Sequence, residues 1–341
     1  MKALVKPDSS SSLRLEDIAE PVAGPEEVKI EVKAAGICGT DLHILKNEYK
    51  HTVPVVLGHE YSGVVAAVGA KVRSCAVGDR VVSLTAAVTC GVCEHCLSGT
   101  PMLCAERKSI GSGVNGAFTK FLVIHERLVK KIPASVSLEA AALTEPLACV
   151  VHGVMEMARI NAGEAVLISG PGVIGLLALQ VARAAGARAV VCGSAGDRGR
   201  LEIARSMGAS RVVEVPNEEV SEGLRALSAG RGADVAIECA GVEKSAAQCL
   251  ESLRKRGRYI QMGLFGRAIS VDLDLMTYKE IQYSCSFAST QSSFRTALQL
   301  MDCGLVDPLP LISARLPLDQ WEEGFRLMQS KEGLKVLFYP D

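Results

Sequence analysis

"LISGPGVIGLLALQ", residues 167–180, decides how this chain is read. Its opening closes the apolar stretch "EAVLISG", which has strand character, and from Val173 onward apolar residues recur at helical spacing. Between the two, Gly170, Gly172 and Gly175 stand in G-x-G-x-x-G spacing, with Val173 and Ile174 in the variable places. In a strand–turn–helix setting each glycine has a task. Gly170 makes the tight turn, Gly172 lets backbone approach a pyrophosphate, and Gly175 lets the helix pack on the strand. The helix N-terminus adds N–H donors and a partial positive charge. The stretch is expected to bind a dinucleotide.

Working outward, "ARAVVCG", "RGRLEIARSMGA", "SRVVEV", "VSEGLRALSAGRG", "ADVAIECAG" and "GRYIQMGL" alternate strand and helix to about residue 287. That rhythm predicts right-handed βαβ units on a parallel sheet. The second strand of such a unit usually ends on an acid that binds the ribose hydroxyls, about twenty residues past the glycines. Here "VVCGSAGDRGRL" puts Gly193 and Ser194 in that place. Asp197 comes several residues late, and Arg198 and Arg200 lie close by. A missing carboxylate with arginines nearby suits a 2′-phosphate, so NADP is favoured as the cofactor and NAD is the alternative.

Residues 1–148 read differently. Short β-branched runs such as "EVKIEVKAAG", "YSGVVAAVG", "DRVVSL" and "FTKFLVI" are separated by Gly, Pro and Asp, which predicts a β-barrel-like domain. Residues 149–287 hold the alternating pattern. Residues 288–341 carry two amphipathic helices, "SSFRTALQLMDCGLV" and "LDQWEEGFRLMQS", and a last strand, "LKVLFYP". The fold class is α/β.

Lys+Arg 37 against Asp+Glu 38 leaves a formal charge of −1, without the basic footprint of a nucleic-acid binder. No apolar leader and no long apolar run is evident, so a cytoplasmic protein with no nucleic-acid and no membrane partner is expected. In that compartment stable disulfides are not expected, and clustered cysteines point to metal or catalysis. "TCGVCEHCLSGTPMLC", residues 89–104, holds Cys90, Cys93, Cys96 and Cys104 in C-x2-C-x2-C-x7-C spacing. Four thiolates with no open position suit a structural zinc. A ferredoxin-type cluster also takes four, but places its last Cys three residues after the third with Pro behind it, which this loop lacks. His95 finds no vacancy there. Cys75, Cys149, Cys192, Cys239, Cys249, Cys285 and Cys303 read as small buried hydrophobes. Elsewhere "AAGICGTDLH" supplies Cys38 and "VLGHEYSGVV" supplies His59 and Glu60.

Taken together these stretches resemble a known family. "GHEYSGVVAAVGAKV", residues 58–72, matches the zinc alcohol dehydrogenase signature G-H-E-x2-G-x5-G-x2-V. "CGTDLH", "VGDRV", the four-cysteine loop and "GPGVIG" occur in the family's order. The chain resembles a zinc-dependent medium-chain dehydrogenase over essentially its whole length, nearest the sorbitol, polyol and threonine dehydrogenase branch.

The resemblance implies a GroES-like β-barrel, a Rossmann domain with a doubly wound parallel sheet, and a C-terminal segment that returns to complete the catalytic domain. It implies two zinc ions per chain. The catalytic one would take Cys38 and His59, with Glu60 beside them. "TEPLACVVHG" puts Glu145 where alcohol-dehydrogenase members carry a third cysteine; the polyol branch uses this glutamate, and Cys149, four residues on, is the other candidate. Such a metal activates a hydroxyl, and the carbinol hydride passes to the nicotinamide. Thr40 and His43 would carry the proton outward. The substrate implied is a secondary alcohol of a polyol or sugar-like molecule. The alternatives are an L-threonine 3-dehydrogenase-like or butanediol-type enzyme, and more remotely a non-catalytic coenzyme-binding relative. Relatives are homodimers or homotetramers joined through sheet edges, for which "IQYSCSF", residues 281–287, is the candidate.

Overall fold

Alternation along "EVKIEVKAAG" explains the first half of the fold. In the strand Glu27–Gly36, Val28, Ile30, Val32 and Ala34 are buried while the residues between them are partly covered, as a half-buried strand requires. In a computed structural model that describes residues 1–340, this strand is the centre of a seven-stranded sheet. Glu60–Val68 and Phe121–His125 pair with it antiparallel, and so does Lys335–Tyr339 from the far end of the chain. Arg80–Ser83, Val129–Lys131 and Ile312–Pro317 extend the sheet outward. A three-stranded sheet, Arg14–Asp17, Lys2–Lys6 and Val55–Val56, belongs to the same unit.

The second half obeys a different period. Strands Ala165–Ser169 and Ala233–Glu238 are almost wholly buried, as strands of a parallel sheet covered on both faces must be. The sheet runs Arg211–Val215, Arg188–Ser194, Ala165–Ser169, Ala233–Glu238, Leu253–Gln261, Gln282–Cys285, all parallel. Chain order reverses between Ala165–Ser169 and Ala233–Glu238, which is the switch point of a doubly wound sheet. The helix Val173–Ala184 leaves the glycine loop, and Arg198–Ser206, Val220–Ser228 and Glu243–Ser252 connect the later strands.

Two compact units result. Met1–Pro146, Ser289–Asp302 and the stretch from Pro308 form one, and Leu147–Ala288 with Cys303–Asp307 forms the other. Cys303–Asp307 departs from the expected C-terminal segment. It belongs with the parallel sheet because the Gln180 amide donates to the Asp307 carbonyl at 3.0 Å and accepts from its N–H at 2.8 Å. Among the described residues no helix is long and apolar enough to cross a membrane.

Candidate active site

Cys38 lies just beyond the strand Glu27–Gly36, at the start of the short helix Gly39–Leu45. Asp41, in that helix's first turn, accepts from the Cys38 N–H at 2.9 Å and fixes the backbone there. His59 immediately precedes the neighbouring strand Glu60–Val68, whose first residue, Glu60, is paired with Gly36. Two glycines make this possible. Gly58 has φ +90, and a Cβ there would fall 2.5 Å from the Phe118 ring. At Gly36 a Cβ would come within 2.6 Å of a Glu60 carboxylate oxygen. Strand pairing therefore delivers one ligand atom each from Cys38, His59 and Glu60, all within 4.8 Å of one another. Such a group can hold a metal ion.

Glu145, 9% exposed in the first turn of the helix Thr144–Val151, stands outside that tight set. Its charge still reaches His59. Burial alone would push the imidazole down, but Cys38, Asp41 and Glu145 outweigh it and hold His59 well above its usual pKa. A pocket so rich in negative donors asks for a cation. Asp41 Oδ1 is buried with no hydrogen-bond partner and lies 3.8 Å from His59 Nδ1, the position of a carboxylate that orients a ligating imidazole.

Lys335 also belongs here, though no motif pointed to it. Its strand pairs with Glu27–Gly36, which sets its ammonium against the Glu60 carboxylate and 2.8 Å from the Ile37 carbonyl. Both members of this ion pair are buried. Burial opposes the lysine's charge, yet Glu60 and Cys38 raise its pKa overall. A lysine inside an otherwise apolar strand was the available signal. Thr40 Oγ1 lies 3.6 Å from Cys38 Sγ, and His43 Nδ1 meets the Glu48 carboxylate at 2.8 Å where the imidazole is part-exposed.

The four-cysteine loop closes on itself. Cys90–Cys96, Cys93–Cys96 and Cys90–Cys104 bring their sulfurs to 3.9, 3.5 and 3.6 Å, too far for disulfides. Zn–S bonds of about 2.3 Å in a tetrahedron put sulfurs about 3.8 Å apart, so the donors fit a zinc. The Cys90 and Cys93 N–H groups point at sulfur, 3.4 Å from Cys104 and 3.3 Å from Cys90. His95 and Thr100 face each other outside the cluster.

In the parallel-sheet unit, Gly170 has φ +98, and a Cβ on it would meet the Ala240 N at 2.8 Å. A Cβ on Gly175 would fall 2.0 Å from the Gly170 carbonyl, whereas Gly172 faces open space. Gly172 thus leaves the helix start accessible to a phosphate. At the end of Arg188–Ser194, the Ser194 N–H and hydroxyl donate to Asp197 at 3.0 and 2.6 Å. The late acid therefore folds back onto the place that sequence spacing assigned to no carboxylate. Arg198 forks onto Glu214 at 2.6 and 2.8 Å, and Arg200 comes 4.0 Å from Asp197. Gly193 packs beside Pro171 of the glycine loop.

Comparison with known proteins gives the family of the chain. Residues 24–134 match the alcohol dehydrogenase GroES-like domain, and residues 173–302 match the zinc-binding dehydrogenase family. A sorbitol dehydrogenase of Halalkalibacterium halodurans is 36% identical over 100% of this chain and 99% of its own. An L-threonine 3-dehydrogenase of Idiomarina loihiensis is 35% identical over 99% of both. The crystal structure of a zinc-binding dehydrogenase from Sinorhizobium meliloti 1021, bound to NADP, superposes with TM-score 0.89 at 32% identity, covering 99% of each chain. The chain belongs to the zinc-dependent alcohol dehydrogenase family of medium-chain dehydrogenases, and it is an oxidoreductase of alcohols that uses NAD(P).

Proposed function

We propose that the protein oxidises a secondary alcohol of a polyol or sugar-like substrate to the ketone. Identities of 36% and 35% to sorbitol and threonine dehydrogenases do not separate those substrates, so the donor set must. The observation that carries the reading is Glu145, 9% exposed in the first turn of the helix Thr144–Val151, a glutamate at the position where the resemblance implies a third cysteine in alcohol-dehydrogenase members. Two glutamates, one thiolate and one imidazole give an oxygen-rich site suited to hydroxyl substrates. We assign Cys38, His59, Glu60 and Glu145 to one zinc and Cys90, Cys93, Cys96 and Cys104 to a second. When bound, the first supplies the Lewis acidity that eases loss of the alcohol's proton, and NAD(P) accepts the hydride. Thr40 and His43, three apart on one short helix, share a face that leads the proton away from Cys38. Glu48 holds the His43 ring at the part-exposed end. Oxidation of a polyol well ahead of 2,3-butanediol and threonine is the expected outcome of a substrate panel; preference for threonine would overturn the assignment.

For the coenzyme we propose NADP over NAD, bound along Gly170, Gly172, Val173, Ile174 and Gly175. In this reading Ser194 and the largely exposed Arg198 would meet a 2′-phosphate, in competition with Asp197, which accepts from the Ser194 hydroxyl, and Glu214, which accepts from Arg198. The ratio of kcat/KM with the two coenzymes should swing toward NAD in Ser194→Asp with Arg198→Ala. A wild-type preference for NAD contradicts the proposal. Assembly into a homodimer or homotetramer through the edge strand Gln282–Cys285 is supported by its terminal place in the sheet and by Tyr283 at 43% exposure. A monomer in sedimentation at micromolar concentration would exclude it.

A further inference from the structure

The parallel-sheet unit contains a fully buried carboxylate with no part in the chemistry above. Glu238 ends the strand Ala233–Glu238 at 0% exposure. Its hydrogen bonds come from neutral donors. Oε1 accepts from the Ala240 N–H at 2.9 Å, the Gly241 N–H at 3.0 Å and the Ser245 hydroxyl at 2.7 Å. Oε2 accepts from Gln261 Nε2 at 2.8 Å and from Gly241 N–H at 3.2 Å. A buried charge without a counter-ion is costly unless such donors surround it. Five contacts on one carboxylate indicate that the charge is wanted there.

The bonds continue beyond Glu238. Ser245 Oγ is also 2.7 Å from Ser169 Oγ. Ser245 Oγ is the donor in both contacts, its one hydroxyl hydrogen lying between the Glu238 carboxylate and Ser169 Oγ, and Ser169 accepts. Cys192 Sγ in turn lies 3.3 Å from Ser169 Oγ. Burial, with the charge of Glu238, pushes the Cys192 thiol up to about 11, so it remains a thiol and donates. On the other side the Tyr259 hydroxyl donates to Gln261 Oε1 at 2.8 Å. These contacts join four neighbouring strands near their C-terminal ends, where the order of the sheet reverses, with Ser245 bridging Glu238 and Ser169. Ser169 immediately precedes Gly170, and the Gly170 Cα approaches Ala240 so closely that a Cβ would fall 2.8 Å from its N.

We propose that Glu238 is a positioning residue for the coenzyme. Through Ser245 and Ser169 it holds the turn at residues 239–241 against the glycine loop, and so fixes the backbone donors that meet the dinucleotide phosphates. The proposal rests on the reading of that loop as the coenzyme site. A glutamine at 238 would set an NH2 where N–H donors now converge, and an alanine at 245 would cut the link to Ser169 while leaving the charge in place.

The test is direct titration of zinc-loaded wild type, Glu238→Gln and Ser245→Ala with NADPH and NADH, read by coenzyme fluorescence, with melting temperature and kcat at saturating coenzyme measured alongside. Ser245→Ala should weaken coenzyme binding about five- to tenfold and Glu238→Gln about tenfold or more, with kcat at saturation nearly unchanged. A merely structural role would lower the melting temperature and leave Kd of the folded protein alone. If Glu238→Gln does not fold, Ser245→Ala decides. A folded Ser245→Ala with Kd within about twofold of wild type overturns the proposal. Wild type that takes up neither coenzyme would instead bring down the reading of the loop, and this proposal with it.

Discussion

Lys335 and Glu60 form an ion pair at the floor of the proposed zinc pocket, 2% and 1% exposed, from strands 275 residues apart. Removing one partner of such a pair leaves the other buried and uncompensated, at a cost of about 3–5 kcal/mol. In metal-free protein Lys335→Met should lose about that much stability. Zinc-loaded protein should lose distinctly less, because the metal offers Glu60 another cation. Calorimetric melting with and without zinc distinguishes the two, and equal losses would show that Glu60 and the metal do not communicate. Cys38, His59 and Glu60 were readable because two short motifs hold them. Lys335 was not, because its contact exists only through the pairing of Leu337 with Gly36. Asp41 lay inside the quoted "CGTDLH", but its contacts, the Cys38 N–H at 2.9 Å and the 3.8 Å approach to His59, appear only in the structure.

At the scale of elements, the loop at residues 89–104 has little besides its cysteines to hold it together. It contains one helix of four residues, Glu94–Leu97, and a single 3₁₀ turn, Pro101–Leu103. Val92 and Leu97 are 77% and 75% exposed, so they contribute little burial. Metal binding and loop folding are then one event. Cys96→Ser should release the loop's zinc and lower the melting temperature by about 5 °C or more. An unchanged melting temperature and zinc content would remove this loop from the structural-zinc assignment. The alternating strands and helices of the second unit were legible because a period of 2 or 3.6 is a local property. The helix Glu243–Ser252 passed unnoticed: it follows Val242 rather than a capping residue, and only Ala246, Cys249 and Leu250 of its face are buried. The Cys303–Asp307 crossing was hidden for the same reason as Lys335, since it depends on one long-range contact with Gln180.

For the whole molecule, length and motif order were enough to place a barrel-like unit, a dinucleotide-type sheet and a returning C-terminus. Substrate choice was not legible, because loops shape it and spacing says nothing of shape. Coenzyme choice was read from a missing acid, and the fold of Asp197 onto Ser194 shows how a turn can bring back what spacing removed. Three clustered donors, with Glu145 proposed as a fourth, and four cysteines in one loop make metal content the property on which the account stands. The deciding measurement is zinc per chain by elemental analysis, taken with polyol-dependent coenzyme reduction before and after mild chelation. Two zinc per active chain are expected, with one removed by the chelator, activity lost, and melting temperature little changed. Full activity with a single zinc per chain, or with iron in its place, would contradict it.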